Sequence, residues 1–273
     1  MKLQEWLSEL EKTESAILAT NFYNFETLTG VVQAAAESGS EIILQTSPST
    51  IQYLGIDMAV SMARAALREY NVQGWLHLDH AESINLIKNC LDAGYDSVMI
   101  DTSDKSFFEN VAITSEVTKL ARKYGACVEA ELGYVAKLGQ RQDNAGLTDP
   151  DEAKEFQEET GVDSLAVAIG SAHGFYKKEP KLDLERLKKI HQATDCSLVL
   201  HGGSGIPNEQ LQAGIKNGIR KINLATEIKD TFMTTLQQQL KNSSEIDLRK
   251  VFPPATDAVK MLVKSKIEII KAV

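Results

Sequence analysis

The strongest constraint on the fold of this chain is an alternation that repeats eight times: a short apolar run, then an amphipathic segment. The apolar runs span residues 16–22, 41–47, 74–80, 97–103, 127–133, 164–170, 197–203 and 221–227. The segments between them have helical periodicity, and several end in glycine, as "ETLTGVVQAAAESG" does. Eight strand–helix units of roughly 25–35 residues each are typical of a closed (β/α)8 barrel. The alternation therefore predicts an α/β fold.

A doubly wound open sheet is the alternative arrangement for such a pattern. It requires neither eight units nor polar residues at nearly every strand end. No Pro- or Ser-rich linker divides the chain. We therefore predict a single (β/α)8 TIM barrel domain over residues 1–273, with an extra N-terminal helix in "MKLQEWLSELEKTES" and a C-terminal helical extension in "PATDAVKMLVKSKIEII". That extension is expected either to form an oligomer interface or to close the barrel floor.

Charge and cysteine usage restrict the partners and the compartment. A net charge of −9 argues against a nucleic-acid groove and against an anionic membrane surface as the binding partner. The three cysteines (Cys90, Cys127 and Cys196) form no Cys-x-x-Cys pair, which favours a reducing compartment. No segment has the apolar run of a signal peptide or of a transmembrane helix. We expect a soluble, cytoplasmic protein.

The ends of the apolar runs carry the candidate site, because barrel active sites lie where strands give way to loops. Three of the five histidines fall at the ends of three different strands: His80, His173 and His201. Three neutral imidazoles with an open fourth position are a catalytic zinc arrangement, so the sequence predicts Zn²⁺ as cofactor. His77 lies deeper in its strand and is expected to be structural or to support the site from behind. His191 lies on a helix face and is expected to be structural.

Glycines after the seventh run indicate an anion site. In "HGGSG" (201–205), residues without Cβ allow backbone N–H groups to close around an anion, and Ser204 adds a hydroxyl. After the eighth run, Thr226 and its neighbours offer N–H groups at a helix N-terminus. Barrels often bind phosphate between these two loops. The sequence therefore predicts a small phosphorylated substrate beside the metal.

Several motifs together resemble one family over nearly the whole chain. They are "NFYNFET", "ILQTSP", "HLDHAES", "SVMIDTS", "VEAELG", "TGVDSLAVAIGSAHG", "LVLHGGSGIP" and "KINLATEIK". In combination they resemble the class II, zinc-dependent ketose-bisphosphate aldolases. The resemblance implies reversible cleavage of a ketose 1,6-bisphosphate to dihydroxyacetone phosphate and glyceraldehyde 3-phosphate. It also implies a homodimer or homotetramer, and a monovalent cation is a further candidate cofactor.

The resemblance assigns roles residue by residue. It makes Asp79 the catalytic acid/base, His80, His173 and His201 the zinc ligands, and Asp101 and Glu131 carboxylates beside the metal that can support an alternative metal position. The implied contacts to dihydroxyacetone phosphate are Gly174, Gly202, Gly203, Ser204, Asn223, Leu224, Ala225 and Thr226. Asn24 and Ser47 match further substrate contacts. A Schiff-base route would need a lysine inside the barrel at a strand end; "SLAVAIGSAHG" has none, and Lys221 is expected at the entrance of its strand.

Three positions bear on the choice of substrate. Ala225 stands where the fructose-bisphosphate group usually has aspartate, so "NLATEIK" is more similar to the tagatose-bisphosphate group. Gln142 occupies the place of a loop glutamate that moves a proton in the family, and Thr256 stands at a family arginine. Three hypotheses follow: an aldolase for a tagatose- or fructose-type bisphosphate, the same mechanism on a ketose 1-phosphate modified at carbon six, and a non-catalytic aldolase-like subunit.

Overall fold

The eight strands form a closed parallel barrel in chain order, β1 to β8, in a computed structural model that describes residues 1–133, 135, 146–176 and 179–273. The predicted TIM barrel is thereby confirmed. The strands are β1 Ile17–Asn21, β2 Ile42–Thr46, β3 Gly74–Ala81, β4 Ser97–Ile100, β5 Cys127–Leu132, β6 Ser164–Val167, β7 Ser197–Leu200 and β8 Ile219–Leu224.

Helices follow the strands and form the outer layer. In the described part of the chain they are α1 Leu3–Thr13, α2 Phe25–Ser38, α3 Pro48–Leu54, α4 Ile56–Glu69, α5 Ile84–Asp92, α6 Phe107–Arg122, α7 Pro150–Thr160, α8 Leu184–Ala193, α9 Asn208–Lys216, α10 Thr226–Asn242, α11 Leu248–Val251 and α12 Pro253–Lys271. None of these helices is long and apolar enough to cross a membrane.

Polar caps start many of these helices directly after a strand or a short loop. Asn24, Ser47 and Ser106, for example, accept hydrogen bonds from main-chain N–H groups in the first turns of α2, α3 and α6. Asp149 caps α7 by accepting from the N–H groups of Asp151 and Glu152, and Pro150 is the first helical residue. These capped helices therefore begin close to the end of the barrel that carries the polar strand ends.

The barrel interior changes from apolar at the floor to polar at the mouth. Along β3 the inward positions are Trp75, then His77, then Asp79, which follows from the two-residue period of a strand. At the floor, Leu3 and Leu7 of α1 pack against the lowest interior layer, which includes Trp75. The polar layers above this floor position the site.

The predicted C-terminal extension does not close the barrel floor, because α1 covers it. The extension forms α12, which packs alongside α2 and α10 in the outer layer. Its buried side chains are Ala255, Val259, Val263, Ile267 and Ile270. Of the two roles expected for this extension, only the interface role stays a prediction.

Most strands are shorter than the apolar runs that predicted them. β4, β6 and β7 end at Ile100, Val167 and Leu200, so the last three residues of each predicted run lie in loops. The eighth strand begins two residues earlier than predicted, at Ile219, and α10 already begins at Thr226. The residues past the last ladder hydrogen bond are buried or half-buried at the barrel mouth, so the change from strand to loop is not marked by a change to exposed residues.

Candidate active site

Three imidazole rings meet at the mouth of the barrel, although their residues are far apart in the chain. The ring centroid of His80 lies 4.8 Å from that of His173 and 4.6 Å from that of His201. One ligand atom from each of these histidines and one from Glu131 lie within 4.8 Å of one another. The structure thus brings the three predicted zinc ligands together, and it adds one of the two predicted neighbouring carboxylates.

His80 reaches this cluster through an unusual backbone conformation. In a regular strand, Asp79 and His80 would point to opposite faces of the sheet. Here the pairing of β3 with β4 shifts register between Leu78 and Ala81, and His80 has φ +50°. A β-bulge and a left-handed residue can turn a side chain to the other face, at a cost on the order of 1 kcal/mol for the left-handed conformation. Both consecutive side chains therefore reach the barrel mouth.

Carboxylates favour positive charge at His80. Its Nδ1 lies 2.7 Å from Oδ2 of Asp101, and Asp101 Oδ1 accepts a hydrogen bond from the Ser103 hydroxyl at 2.8 Å. Burial lowers the pKa of His80, but Asp79 and the hydrogen bond to Asp101 outweigh burial and raise that pKa to about 9. His173 behaves differently, because burial and the neighbouring His201 lower its pKa to about 3. The ring of His173 is therefore neutral, as a metal ligand must be.

Glu131 contributes a buried oxygen that lacks a hydrogen bond. Its Oε2 has no hydrogen-bond partner among the described residues and lies 3.8 Å from Nδ1 of His201. Burial and then Asp101 raise the pKa of Glu131 to about 8. A buried carboxylate oxygen without a partner is costly, and a cation at this point would satisfy it. The donor set, three imidazoles and one carboxylate, suits a divalent metal such as zinc.

Asp79 lies next to this cluster and is held in place by amides. The Asn21 side-chain amide donates to Oδ2 of Asp79 at 3.1 Å, and Oδ1 of Asp79 lies 4.0 Å from Nε2 of His80. Burial would raise the pKa of Asp79, but the positive charge of His80 outweighs it, so that the pKa falls below its usual value. Asp79 is therefore an ionised carboxylate, able to accept a proton beside the cluster.

A buried ion pair beneath the cluster was not predicted from the sequence. Lys221 donates to Oε2 of Glu129 at 2.7 Å, and Oε1 of Glu129 lies 2.9 Å from Nε2 of His201. Burial would raise the pKa of Glu129, but Lys221 and the hydrogen bond to His201 hold it well below its usual range. From the sequence, Lys221 is expected at the entrance of its strand and outside the barrel interior, and this placement of its side chain is wrong. The side chain extends into the barrel interior and is only 2% exposed.

His77 and His191 lie outside the cluster, as expected. His77 is buried in the barrel, with its Nδ1 2.8 Å from the Ser97 hydroxyl, and burial lowers its pKa to about 3. His191 lies on α8, where its ring would clash with a Cβ at Gly218. His77 has a hydrogen-bonding role within the barrel, and His191 packs closely against Gly218.

The glycine loop after β7 is held tightly against its neighbours. Gly202 has φ +67°, and a Cβ there would lie 2.3 Å from the carbonyl oxygen of Ala172. The N–H of Gly203 donates to the carbonyl of Asn223 at 3.0 Å. That amide is therefore directed at β8. Because the Gly203 N–H already donates within the fold, only the other donors of this loop are left for the predicted phosphate site.

The predicted substrate contacts on the β7 and β8 loops lie side by side. The Ser204 hydroxyl oxygen accepts a hydrogen bond from the N–H of Glu227 at 3.2 Å, in the first turn of α10. Asn223 and Leu224 end β8, Ala225 precedes α10, and Thr226 is its first residue. Helix N-termini leave N–H groups free for an anion. The two loops are thus adjacent, and their contact with a phosphate stays a prediction.

Tyr176 connects the loop that carries His173 and Gly174 to the loop that carries Gly202. Its hydroxyl accepts from the N–H of Ala172 at 2.7 Å and donates to the carbonyl of Gly202 at 2.9 Å. Sequence reasoning missed this residue, because a single tyrosine in a loop carries no recognisable pattern. It fixes the spacing between the loop of His173 and the glycine-rich loop after β7.

Two predicted substrate contacts have structural roles in the fold. The Asn24 side chain accepts from the N–H of Thr27 at 2.9 Å, and Ser47 accepts from the N–H of Thr50 at 3.3 Å. Each caps a helix that follows a strand, so each lies at the barrel mouth. Their contact with substrate stays a prediction. Gln142, which matches the position of a family glutamate, lies outside the described residues.

Comparison with known proteins agrees with this geometry. The fructose-bisphosphate aldolase class-II family matches residues 1–273. This chain belongs to the class II fructose-bisphosphate aldolase family. It is 37% identical over 299 residues to a fructose-bisphosphate aldolase of Helicobacter pylori (strain ATCC 700392 / 26695), covering 99% of this chain and 97% of that protein.

Solved structures of this family have the same fold. The YdjI aldolase from Escherichia coli K12 superposes with a TM-score of 0.89 at 33% identity, covering 98% of this chain and 96% of that one. A putative fructose-1,6-bisphosphate aldolase from Coccidioides immitis gives 0.87 at 30% identity, with 98% and 95% covered. Class II aldolases are metal-dependent lyases that act on ketose bisphosphates, and the resemblance found in the sequence is confirmed.

Proposed function

We propose that this class II aldolase uses zinc to cleave a ketose 1,6-bisphosphate of the tagatose or fructose type. The products would be dihydroxyacetone phosphate and glyceraldehyde 3-phosphate. One observation carries the proposal: the three imidazoles and the partnerless oxygen of Glu131 converge beside the ionised carboxylate of Asp79. We further propose that the enzyme acts in the cytoplasm as a homodimer or homotetramer.

The residues of the cluster fit zinc by their chemistry. His80, His173 and His201 would be the ligands, with Asp101 and Glu131 supporting an alternative position of the metal. When bound, zinc would act as a Lewis acid that stabilises negative charge on the ketone oxygen of the substrate. The ring of His80 is already oriented for this purpose, because Asp101 fixes its Nδ1.

Asp79 would move the proton that carbon–carbon cleavage requires. In the cleavage direction it takes the proton of the hydroxyl on carbon four, and in condensation it returns that proton. Its environment suits a base, since the Asn21 amide holds one carboxylate oxygen and the pKa lies below its usual value. A positioned acid–base group contributes about 10²–10⁴ in rate.

The phosphate on carbon one would lie against the loops after β7 and β8. The hydroxyl of Ser204 and N–H groups in the first turn of α10 would provide donors there, and Gly202 lets its loop pack directly against the main chain of Ala172. Gly174 has φ +101°, a conformation that favours glycine. Ala225 supports the tagatose type, because it replaces the aspartate expected of the fructose group.

A second candidate substrate is a ketose 1-phosphate modified at carbon six. Thr256 supports it, since a neutral residue stands where the family resemblance implies an arginine. In α12 the Thr256 hydroxyl donates to the carbonyl of Phe252 at 3.4 Å, so it makes a local helix contact. A substrate without a distal phosphate needs no cation at this position.

A coupled assay of dihydroxyacetone phosphate release tests the proposal. It would compare tagatose 1,6-bisphosphate, fructose 1,6-bisphosphate and fructose 1-phosphate, each with and without a zinc chelator. We expect the highest kcat/KM for a bisphosphate and no release after chelation. Preference for the monophosphate would favour the second candidate. A zinc-loaded protein that releases nothing from any of the three sugars would contradict both.

A further inference from the structure

A buried ion pair lies in the barrel interior directly beneath the candidate metal ligands. The side chains of Glu129 and Lys221 are 1% and 2% exposed, and their Oε2 and Nζ atoms are 2.7 Å apart. Buried pairs of this kind give little net stability, since desolvation offsets their attraction. Stability alone therefore does not explain why two charges occupy this position, which points to a role towards the groups above them.

The second oxygen of Glu129 contacts His201. Glu129 Oε1 lies 2.9 Å from Nε2 of His201, and the amide nitrogen of Asn223 lies 3.1 Å from the same atom. An ionised carboxylate can only accept a hydrogen bond, whereas an amide can present either its donor or its acceptor end. The contact with Glu129 therefore requires the proton of the neutral ring to be on Nε2.

A neutral imidazole with its proton on Nε2 has a free lone pair on Nδ1. The Nδ1 of His201 is the atom that faces the cluster, 2.9 Å from Nε2 of His80 and 3.8 Å from Oε2 of Glu131. The tautomer that Glu129 selects is thus the one in which His201 can act as a ligand. In metal sites this arrangement also fixes the angle of the ring.

We propose that Glu129, held by Lys221, is a positioning residue that fixes the ring and the tautomer of His201 for zinc. The proposal rests on the proposed zinc site, and it adds the two residues that lie behind one of the zinc ligands. Lys221 donates to Oε2 and holds the carboxylate in place, and the Ser164 hydroxyl lies 3.5 Å from the same oxygen. Both Glu129 and Lys221 act through His201, without touching the substrate.

The neighbour of Lys221 offers a matched control. Arg220 is 3% exposed, and its Nε lies 3.0 Å from Oε2 of Glu11 in α1. Consecutive strand residues point to opposite faces, so Arg220 forms its ion pair outside the barrel interior. Arg220→Met and Lys221→Met each remove the buried cation of an ion pair, but only Lys221→Met acts on Glu129.

Zinc affinity, measured by competition with a chromogenic chelator, tests the proposal independently of aldolase activity. We expect Glu129→Gln to weaken zinc binding about 10- to 100-fold, the usual effect of losing a partner of a metal-ligating histidine. Lys221→Met is expected to weaken it as well, whereas Arg220→Met leaves the Kd within about twofold of wild type. A folded Glu129→Gln protein with the wild-type Kd would overturn the proposal.

The double variant Glu129→Gln, Lys221→Met covers the case in which a single variant leaves a buried charge and fails to fold. It removes both charges together, and it should fold and still bind zinc weakly. The tautomer gives a readout that a purely structural role would not change. In ¹⁵N-histidine NMR of the wild-type zinc protein, we expect His201 to carry its proton on Nε2; a proton on Nδ1 overturns the proposal.

These outcomes separate the positioning role from the proposed function. A wild-type protein that binds no zinc contradicts the proposed function and the positioning role together. A wild-type protein that binds zinc but cleaves none of the tested sugars contradicts only the proposed function, since the Kd of the variants and the tautomer still decide the role of Glu129. Normal zinc affinity in the folded variants contradicts only the positioning role.

Discussion

Nδ1 of His201 lies 2.9 Å from Nε2 of His80, and the two rings are nearly perpendicular, with an angle of 88° between their planes. Two imidazole nitrogens this close repel each other unless a proton or a cation lies between them. The same region contains the partnerless oxygen of Glu131. A proton on His80, favoured by its raised pKa, or a metal ion could occupy the space between these nitrogens. Five predictions follow from the fold and from this cluster.

Removal of the metal should abolish activity and destabilise the protein. A ligand that binds only the folded state at a free concentration of 1,000 times its Kd adds about 4 kcal/mol to the free energy of unfolding. For a chain of this length we expect a shift in Tm on the order of 10 °C, measured by calorimetry with zinc and with chelator. The shift should disappear in His201→Asn; an equal shift in that variant would contradict the assignment of the ligand.

Replacement of Asp79 should remove catalysis without removing the metal. We expect Asp79→Ala to lower kcat about 10²–10⁴-fold, because the proton acceptor is lost. Zinc content, measured by elemental analysis, should stay at the wild-type value, since the cluster that converges on the metal does not include Asp79. The exposed Asp92 serves as the control, and Asp92→Ala should keep wild-type kcat. Wild-type kcat in Asp79→Ala would exclude the acid–base role.

Gly202 should not tolerate a side chain. A Cβ there would lie 2.3 Å from a main-chain oxygen, so Gly202→Ala must move the loop that carries the predicted phosphate contacts. We expect KM to rise at least about tenfold. Gly39 is the matched control, since it has φ +53° but no atom within 4 Å of an added Cβ. Gly39→Ala should cost only about 1 kcal/mol of unfolding free energy and keep KM; similar kinetic effects in both variants would contradict this explanation.

Helix α1 should stabilise the barrel without taking part in catalysis. Leu7 is 3% exposed on the barrel floor, so Leu7→Ala is expected to lower the free energy of unfolding by about 2–5 kcal/mol in urea denaturation. Leu240 on α10 is 56% exposed, and Leu240→Ala should change the free energy of unfolding by less than about 0.5 kcal/mol. The kcat of both proteins should equal that of wild type. An equal loss of stability in both would show that α1 does not seal the floor.

The cysteines should be unreactive in the folded enzyme. Burial raises the pKa of Cys90 and of Cys196 to about 12, and it also raises that of Cys127. Because only the thiolate reacts and it forms only as the pH approaches that pKa, native protein at pH 8 should resist iodoacetamide. In urea all three cysteines should be alkylated, as counted by mass spectrometry. Rapid labelling of the native protein would contradict the burial.

Much of the site could be predicted from the sequence, because barrel strands end at one face. Asp79, His80, Asp101 and His201 each follow or end an apolar run, and a closed parallel barrel brings such ends together whatever the exact register. The pattern could not show that His80 needs φ +50° to join Asp79 at the mouth. The pattern also could not show where each strand ends and its loop begins, since many residues at the ends of the runs stay buried after the last ladder hydrogen bond.

The sequence by itself determined the barrel, the face that carries the site and the identity of its imidazoles, because these depend on periodicity and on the order of elements. Only the tertiary structure decided that Glu129, Lys221 and His201 form one hydrogen-bonded group, and that α1 covers the floor. Those contacts join strands and helices that are distant in the chain. They depend on the tilt and stagger of the closed sheet, which no local pattern records.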